Sequence, residues 1–324
     1  MKQTTITATN ANQRLDKFVR KWLEDAPLSF IYRLFRKKDV KVNGHWATID
    51  YVIKNDDVVT VYITDAQMEE FNRPKPIVAA AFPHQIIYED DQCLIVNKPK
   101  GLLVHGDDSE KRITLANQVI AYLMVSGLTL DQGGYVPAPA HRLDRNTSGL
   151  VIFGKTLLAQ QALEKLFHDR VGIQKSYLAL VVGDLNQDGE IDLELRKDPE
   201  TNTVRVVRKG QGIKALTRYS VKQRFGNCTL LEVTIVTGRT HQIRVHLGAI
   251  GHPIIGDRKY GRYEVNHEIM KRFRYEHQFL HAYKMAFGAL DDPLLGISSR
   301  VFTAPLPVKE HQLLEQLNPS SLED

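Results

Sequence analysis

Residues 141–150 read "HRLDRNTSGL", and the fold and chemistry of the chain can be read outward from them. One carboxylate, Asp144, stands between Arg142 and Arg145, with a histidine ahead and Thr-Ser-Gly behind. A lone carboxylate serves as a general base, a nucleophile or a structural ion-pair partner, and flanking arginines favour its charged form. A glycosidase acid needs the opposite setting, together with a second carboxylate at fixed separation. None stands nearby, so the setting suits an anionic nucleophile or base, with a loop-tying salt bridge as the structural alternative. The Gly/Pro stretch "GLTLDQGGYVPAPA" (127–140) leads in and the apolar "GLVIFGK" leads out. Asp144 therefore sits on a loop that runs into a buried strand, a good mounting for a reactive group.

Around this loop the pattern from Phe82 onward alternates strands and helices. "QIIYEDDQCLIVNKP" predicts a hairpin, "TLANQVIAYLMV" (114–125) a helix capped by Thr114, and "LAQQALEKLFHDR" (158–170) another helix. "KSYLALVVGD", "TVRVVR", "ALTRYSVKQRF" and "CTLLEVTIV" follow as four strand-like runs. "GRTHQIRVHLGAI" predicts a helix opening after Gly238. A sheet of that extent with helices packed on it is a mixed α+β domain. It is expected over 82–310, with a tail at 311–324.

The first 64 residues make a separate small module. Leu15, Phe18, Val19, Trp22 and Leu23 fall at helical spacing, and Pro27 stops that helix. "SFIYRLFRKKD" predicts a second helix, capped by Ser29, with Ile31, Leu34 and Phe35 inward. Arg33, Arg36 and Lys37 form a basic ridge on its outer face, with Lys38 and Lys41 close by. "VKVNGHW" and "DVVTVYI" read as strands, the first with an Asn-Gly turn. Residues 65–81 lose periodicity, include Pro74 and Pro76, and read as a linker.

Composition narrows the class. Of 324 residues 43% are hydrophobic and 25% charged, as in an ordinary protein with a core. No apolar run approaches the length of a membrane span, and the N-terminus lacks the apolar core of a secretory signal. Cys93 and Cys228 lie in apolar strands and read as buried thiols, which fits a cytoplasmic protein. Net charge is +5, and residues 1–64 carry +4 of it (11 Lys and Arg against 7 Asp and Glu). That asymmetry points to a polyanionic partner. His141, His241, His246, His252 and His281 match no metal-ligand spacing and read as structural, so no metal is expected. "NKPKG", with Lys98 and Gly101, reads as pocket wall and turn.

Four stretches in order, "VNKPKGLLVH" (96–105), "HRLDRNTSGL", "KSYLALVVGD" (175–184) and "TGRTHQIRVHLGAIGHPIIGD" (237–257), resemble the RluA-like family of RNA pseudouridine synthases. Within it the S4-bearing synthases of large-subunit ribosomal RNA, the C and D types, are the nearest in character. The first 64 residues resemble the S4 RNA-binding module, of αL type. The resemblance implies an isomerase that breaks the uracil N1–C1′ bond, rotates the base and forms a C5–C1′ bond without a cofactor. It assigns Asp144 as the catalytic nucleophile or base, Tyr177 as the residue that packs on the base and moves the C5 proton, and Arg244 as the partner of the aspartate. Arg142 matches the position that enters the RNA where the base leaves the stack, Arg145 is a phosphate contact, and Leu280 borders the pocket. Arg33, Arg36, Lys37, Lys38 and Lys41 are assigned to RNA. The implied partner is large-subunit ribosomal RNA or its assembly intermediates, bound by a monomer away from any membrane.

Overall fold

The computed structural model describes residues 1–7, 10–71, 82–107, 110, 112–128, 135–198 and 201–317. The chain divides into two compact units. One is Met1–Pro83, Gln118–Ala138 and Gly154–Gln160; the other is His84–Asn117, Pro139–Phe153 and Gln161–Asp324.

The N-terminal part of the first unit comprises β1 (Lys2–Thr5), α1 (Leu15–Trp22), α2 (Leu28–Arg36), β2 (Val40–Val42), β3 (His45–Trp46), β4 (Val58–Val61) and α3 (Asp65–Phe71). The strands form an antiparallel sheet in the order β1-β4-β2-β3. Asn43 and Gly44, both at positive φ, make the expected tight turn. Leu15, Phe18, Val19 and Trp22 of α1 are buried, with Leu23 just beyond, and so are Ile31, Leu34 and Phe35 of α2. Two expectations change here. The N-cap of α2 is Pro27 and not Ser29, because the Pro27 carbonyl already accepts the Phe30 and Ile31 N–H groups. Residues 65–71, expected as linker, are helix α3: Met68 and Phe71, three apart, are buried, and the Phe71 ring lies 4.9 Å from Phe30. The rest of the expected linker, 72–81, falls outside the described residues.

The chain continues through β5 (Gln85–Glu89), β6 (Cys93–Lys98), α4 (Leu115–Val125), β7 (Ala138–Pro139), β8 (Ser148–Gly154), α5 (Leu157–Asp169) and β9 (Ile173–Val182). Next come β10 (Gly189–Asp192), β11 (Glu194–Lys197), β12 (Val204–Val207), β13 (Leu216–Arg224), β14 (Cys228–Ile235) and α6 (Gln242–Ala249). Then follow α7 (Tyr263–Phe273), β15 (Leu280–Phe287), β16 (Val301–Thr303) and α8 (Val308–Leu317). A ten-stranded sheet runs β10-β13-β14-β9-β15-β8-β6-β5, with β16 beside β15 and β7 beside β8. β15 meets β8 in parallel and β9 antiparallel, so the sheet is mixed, as expected. β8 is buried at every residue, which bears out the apolar strand read after Asp144. Both cysteines are free and buried. The expected tail at 311–324 is helical as far as Leu317, because Glu310 and Leu313 of α8 are buried; residues 318–324 fall outside the described residues.

Candidate active site

Asp144 stands in the loop entering β8. The Thr147 N–H donates to the Asp144 carbonyl at 3.0 Å, which closes the loop as a turn. Gln278 Nε2 donates to Thr147 Oγ1 at 2.7 Å and fixes its exit. Beneath it Lys98, fully buried, donates from Nζ to the carbonyls of Pro99, Leu102 and Arg145 at 2.9, 2.8 and 3.0 Å. Burial pushes the Lys98 amine down to about 7, opposed by the Asp144 charge. The "NKPKG" lysine is therefore the fastening of the Asp144 loop. Gly149 has φ +115, and a Cβ there would come within 2.2 Å of the Ala282 carbonyl oxygen, so β8 can lie beside β15 only with glycine at this point.

The charge that holds Asp144 does not come from its sequence neighbours. Arg145 reaches away to Asp107 at 3.7 Å. Arg244 of α6 donates from Nη1 to Asp144 Oδ2 at 2.8 Å. The same guanidinium donates to Asp257 from Nε at 2.7 Å and from Nη2 at 2.9 Å. Asp257 is 1% exposed and also accepts the Lys259 and Tyr260 N–H groups, so it is a preformed seat for Arg244. Burial alone would raise the Asp257 carboxyl, and Arg244 with those N–H groups holds it below its ordinary value. Asp257 in turn holds Arg244 in its charged form against burial. Asp144 Oδ2 is thus anchored, while no hydrogen bond from a described residue engages its Oδ1.

A cavity of about 560 Å³ opens on this carboxylate. Asp144 is the one acid among its lining residues, which include Arg142, Arg170, Lys175, Arg218, Arg239 and Arg244. Tyr177 of β9 and Leu280 of β15 form its buried wall, 5% and 4% exposed. Burial first, and the Asp144 charge second, push the Tyr177 hydroxyl above its ordinary value. Arg142 is exposed at the lining. The structure thus brings together Asp144, Arg142, Tyr177, Arg244 and Leu280, and leaves Arg145 outside the cavity.

The basic residues of the N-terminal part have mixed surroundings. Arg33 packs over the Phe30 ring at 4.8 Å and lines a hollow with Asp25, Gln67 and Glu70. Arg36 and Lys37 are exposed at the end of α2. Lys38 lies over Trp46 at 5.0 Å and Lys41 over Tyr62 at 5.2 Å.

Two residues here, Asp257 and Tyr260, are given no role by the sequence, and His241 is read from it only as structural. Asp257 closes the quoted "GHPIIGD", and Gly256 before it, at φ +76, was the available sign of a constrained turn. His241 has a left-handed backbone at φ 53 and precedes α6, which opens at Gln242 and not just after Gly238. The intervening residues wrap the Gln242 side chain, whose Oε1 accepts Thr237 Oγ1 at 2.8 Å and the Arg239 N–H at 3.0 Å. Of the other four histidines read as structural, three are hydrogen-bonded inside the fold, while His141 accepts the Ile152 N–H at 3.4 Å through Nε2 and leaves its buried Nδ1 unpartnered among the described residues. His246 meets Thr217 and Leu193, His252 meets Val182, and His281 meets Ser148 and Ala304. Among the described residues no group of three or more His, Cys, Asp or Glu is arranged to hold a metal ion, and no helix is long and apolar enough to cross a membrane.

Residues 92–249 match the family model described as RNA pseudouridylate synthase. The ribosomal large subunit pseudouridine synthase C of Vibrio cholerae is 34% identical over 86% of this chain and 85% of its own length. Its namesake from Escherichia coli is 35% identical over 89% of this chain and 88% of its own. The chain belongs to the RNA pseudouridylate synthase family. It is accordingly an isomerase. A solved structure titled human RNA pseudouridylate synthase domain containing 4 covers 72% of this chain and 92% of its own, with a TM-score of 0.57 and 24% identity, a likeness of fold. The family match spans the Asp144 loop, β9 with Tyr177, and Arg244; Asp257, Tyr260 and Leu280 lie beyond it.

Proposed function

We propose that this chain converts uridine to pseudouridine in large-subunit ribosomal RNA, with Asp144 as the nucleophile or base. The observation that carries this reading is one carboxylate, anchored through Oδ2, as the sole acid among the lining residues of a nucleotide-sized cavity whose other charged lining residues are Lys and Arg. Cations along the wall suit the phosphates on either side of a target nucleotide. The target atoms of uracil are buried in a stacked helix, so the nucleotide must be flipped out at a cost of about a few kcal/mol. Arg142, exposed beside the cavity, fills the gap by stacking and phosphate contact. Once the base is seated, Asp144 acts at the ribose and the N1–C1′ bond breaks. The base rotates against Tyr177 and Leu280, and C5 bonds to C1′. The C5 proton leaves and N1 gains one, so no cofactor is consumed. Tyr177 enters as a phenol, since burial holds its hydroxyl above the ordinary value; this favours packing on the base over acting as a free-standing base.

The N-terminal part is read as an S4 module that adds affinity through Arg36 and Lys37, with Lys38 and Lys41 beside aromatic rings. Its first 64 residues carry +4 of the net charge. A monomer acting in the cytoplasm on ribosomal RNA or an assembly intermediate completes the reading. The test is pseudouridine mapping on large-subunit RNA from cells with the wild-type gene, without it, or with Asp144→Asn. Specific pseudouridines should vanish without the gene and return only with the wild type. Their presence in all three would overturn the reading.

A further inference from the structure

His241 and Tyr260 form a hydrogen-bonded pair beside the Asp144 carboxylate, and the surroundings of the tyrosine favour one direction for it. His241 Nδ1 lies 2.8 Å from Tyr260 Oη. That oxygen already accepts the Val204 N–H at 2.9 Å. Its single proton then has one acceptor within reach among the described residues, His241 Nδ1. A neutral imidazole with Nδ1 accepting carries its proton on Nε2. His241 Nε2 lies 3.9 Å from Asp144 Oδ2, the same oxygen that Arg244 holds at 2.8 Å. The Arg244 guanidinium also stacks on the Tyr260 ring at 5.0 Å, so one tyrosine supports both groups that face the carboxylate. The left-handed backbone at His241, φ 53, is a conformation that non-glycine residues adopt at a cost, and here it aims the ring at Asp144.

We propose that His241 is a positioning residue for the reaction. Tyr260 locks its imidazole in the Nε2–H form, and this N–H joins Arg244 in fixing Asp144 Oδ2, which leaves Oδ1 to meet the nucleotide. At 3.9 Å the two atoms stand just beyond hydrogen-bond distance, and the proposed contact requires them to close when substrate fills the cavity. The neutral ring is what the arrangement requires, since an imidazolium would bring a second full positive charge onto the carboxylate and weaken its attack. Burial lowers the basicity of His241 first; Arg244 on α6 and Lys259 before α7 act with burial, while Asp144 and Asp257 oppose it. The proposal rests on the role given to Asp144 above.

The test uses the full chain and C5-tritiated large-subunit RNA transcript, with tritium release as the readout, and ¹⁵N NMR of the free protein. The spectra should show His241 protonated on Nε2 and accepting at Nδ1. His241→Leu should lower turnover about tenfold with KM unchanged, the scale of one hydrogen bond removed. His241→Gln, which can still present an N–H, should recover much of it. Tyr260→Phe removes the donor that favours the neutral ring, so the acid limb of its pH–rate profile should move to higher pH. An Nδ1–H tautomer, a leucine variant within about twofold of wild type, or a glutamine variant no better than leucine would each overturn the proposal. Should the leucine variant fail to fold, the tautomer and the Tyr260→Phe profile still decide. A wild type that releases no tritium would instead sink the ribosomal substrate, leaving the NMR result to judge the pair.

Discussion

Arg244 spans from Asp257 to Asp144, donating two hydrogen bonds to the first and one to the second, at 2.7, 2.9 and 2.8 Å. The bidentate end is the buried one, so Asp257 sets where the guanidinium lies and Asp144 receives what is left of it. Asp257→Asn keeps the shape of the side chain but removes its charge and turns one acceptor into a donor facing Arg244. The expected result is a loss of turnover of about tenfold to a hundredfold, the range of one charged hydrogen bond, with RNA affinity nearly unchanged. Measuring rate and dissociation constant separately checks it; a loss confined to affinity would contradict the seat assigned to Asp257.

Lys98 supplies a second test of how the Asp144 loop is held. Lys98→Met preserves the buried stem and removes the donor to three carbonyls at once; that of Arg145 keeps the Gly101 N–H at 2.9 Å, so those of Pro99 and Leu102 lose most. Each buried group left unsatisfied costs roughly 1–3 kcal/mol. Thermal unfolding should therefore shift to clearly lower temperature, and turnover should fall further than stability alone explains, because the Arg145 carbonyl belongs to the turn after Asp144. An unchanged melting temperature would show that the three hydrogen bonds are not holding the loop.

Helices α1 and α2 were legible because their apolar residues recur at helical spacing and nothing in the tertiary structure opposes that pattern. Asp144 was legible because a lone acid between arginines, on a Gly/Pro loop before an apolar run, is an uncommon local arrangement. The flanking arginines misled on the source of the charge, since a loop turns adjacent side chains to different sides and Arg145 leaves for Asp107. Asp257 was hidden for the opposite reason. Its partner is thirteen residues away and meets it through a turn that no local period describes. α3 escaped notice because Met68 and Phe71 are too few to make a period, and Phe71 packs on Phe30, far from it in sequence.

His281 carries a pH prediction. Its Nε2 faces the Ala304 carbonyl and must donate, so Nδ1 accepts from the Ser148 hydroxyl. Burial pushes the ring down to about 4 from its ordinary 6.5. Between these values the unfolded chain binds a proton that the folded chain does not, so stability falls as pH drops from 6.5 toward 4. The full effect is of the order of 3 kcal/mol. Urea unfolding midpoints of the wild type and of His281→Asn across that window should show a shallower acid slope in the variant. Parallel slopes would assign the acid sensitivity elsewhere.

The RNA contact proposed for the end of α2 can be tested apart from the chemistry. Arg33, Arg36 and Lys37 are all exposed, but Arg33 also packs over the Phe30 ring at 4.8 Å in a hollow that Asp25 and Glu70 line with it. With Arg33 engaged on that ring, the phosphate role falls first on Arg36 and Lys37. Replacing both by alanine should weaken RNA binding and reduce the slope of log affinity against log salt by up to about 2, one for each phosphate no longer neutralised. Single-turnover rates at saturating RNA should stay at the wild-type value. Arg33→Ala should leave the salt slope unchanged and lower stability instead, because it strips a cation from the Phe30 ring. The order is checked by salt-titrated binding of the three proteins to the same transcript. A slope that falls as much for Arg33→Ala as for the double variant would restore the whole ridge as one RNA-binding surface.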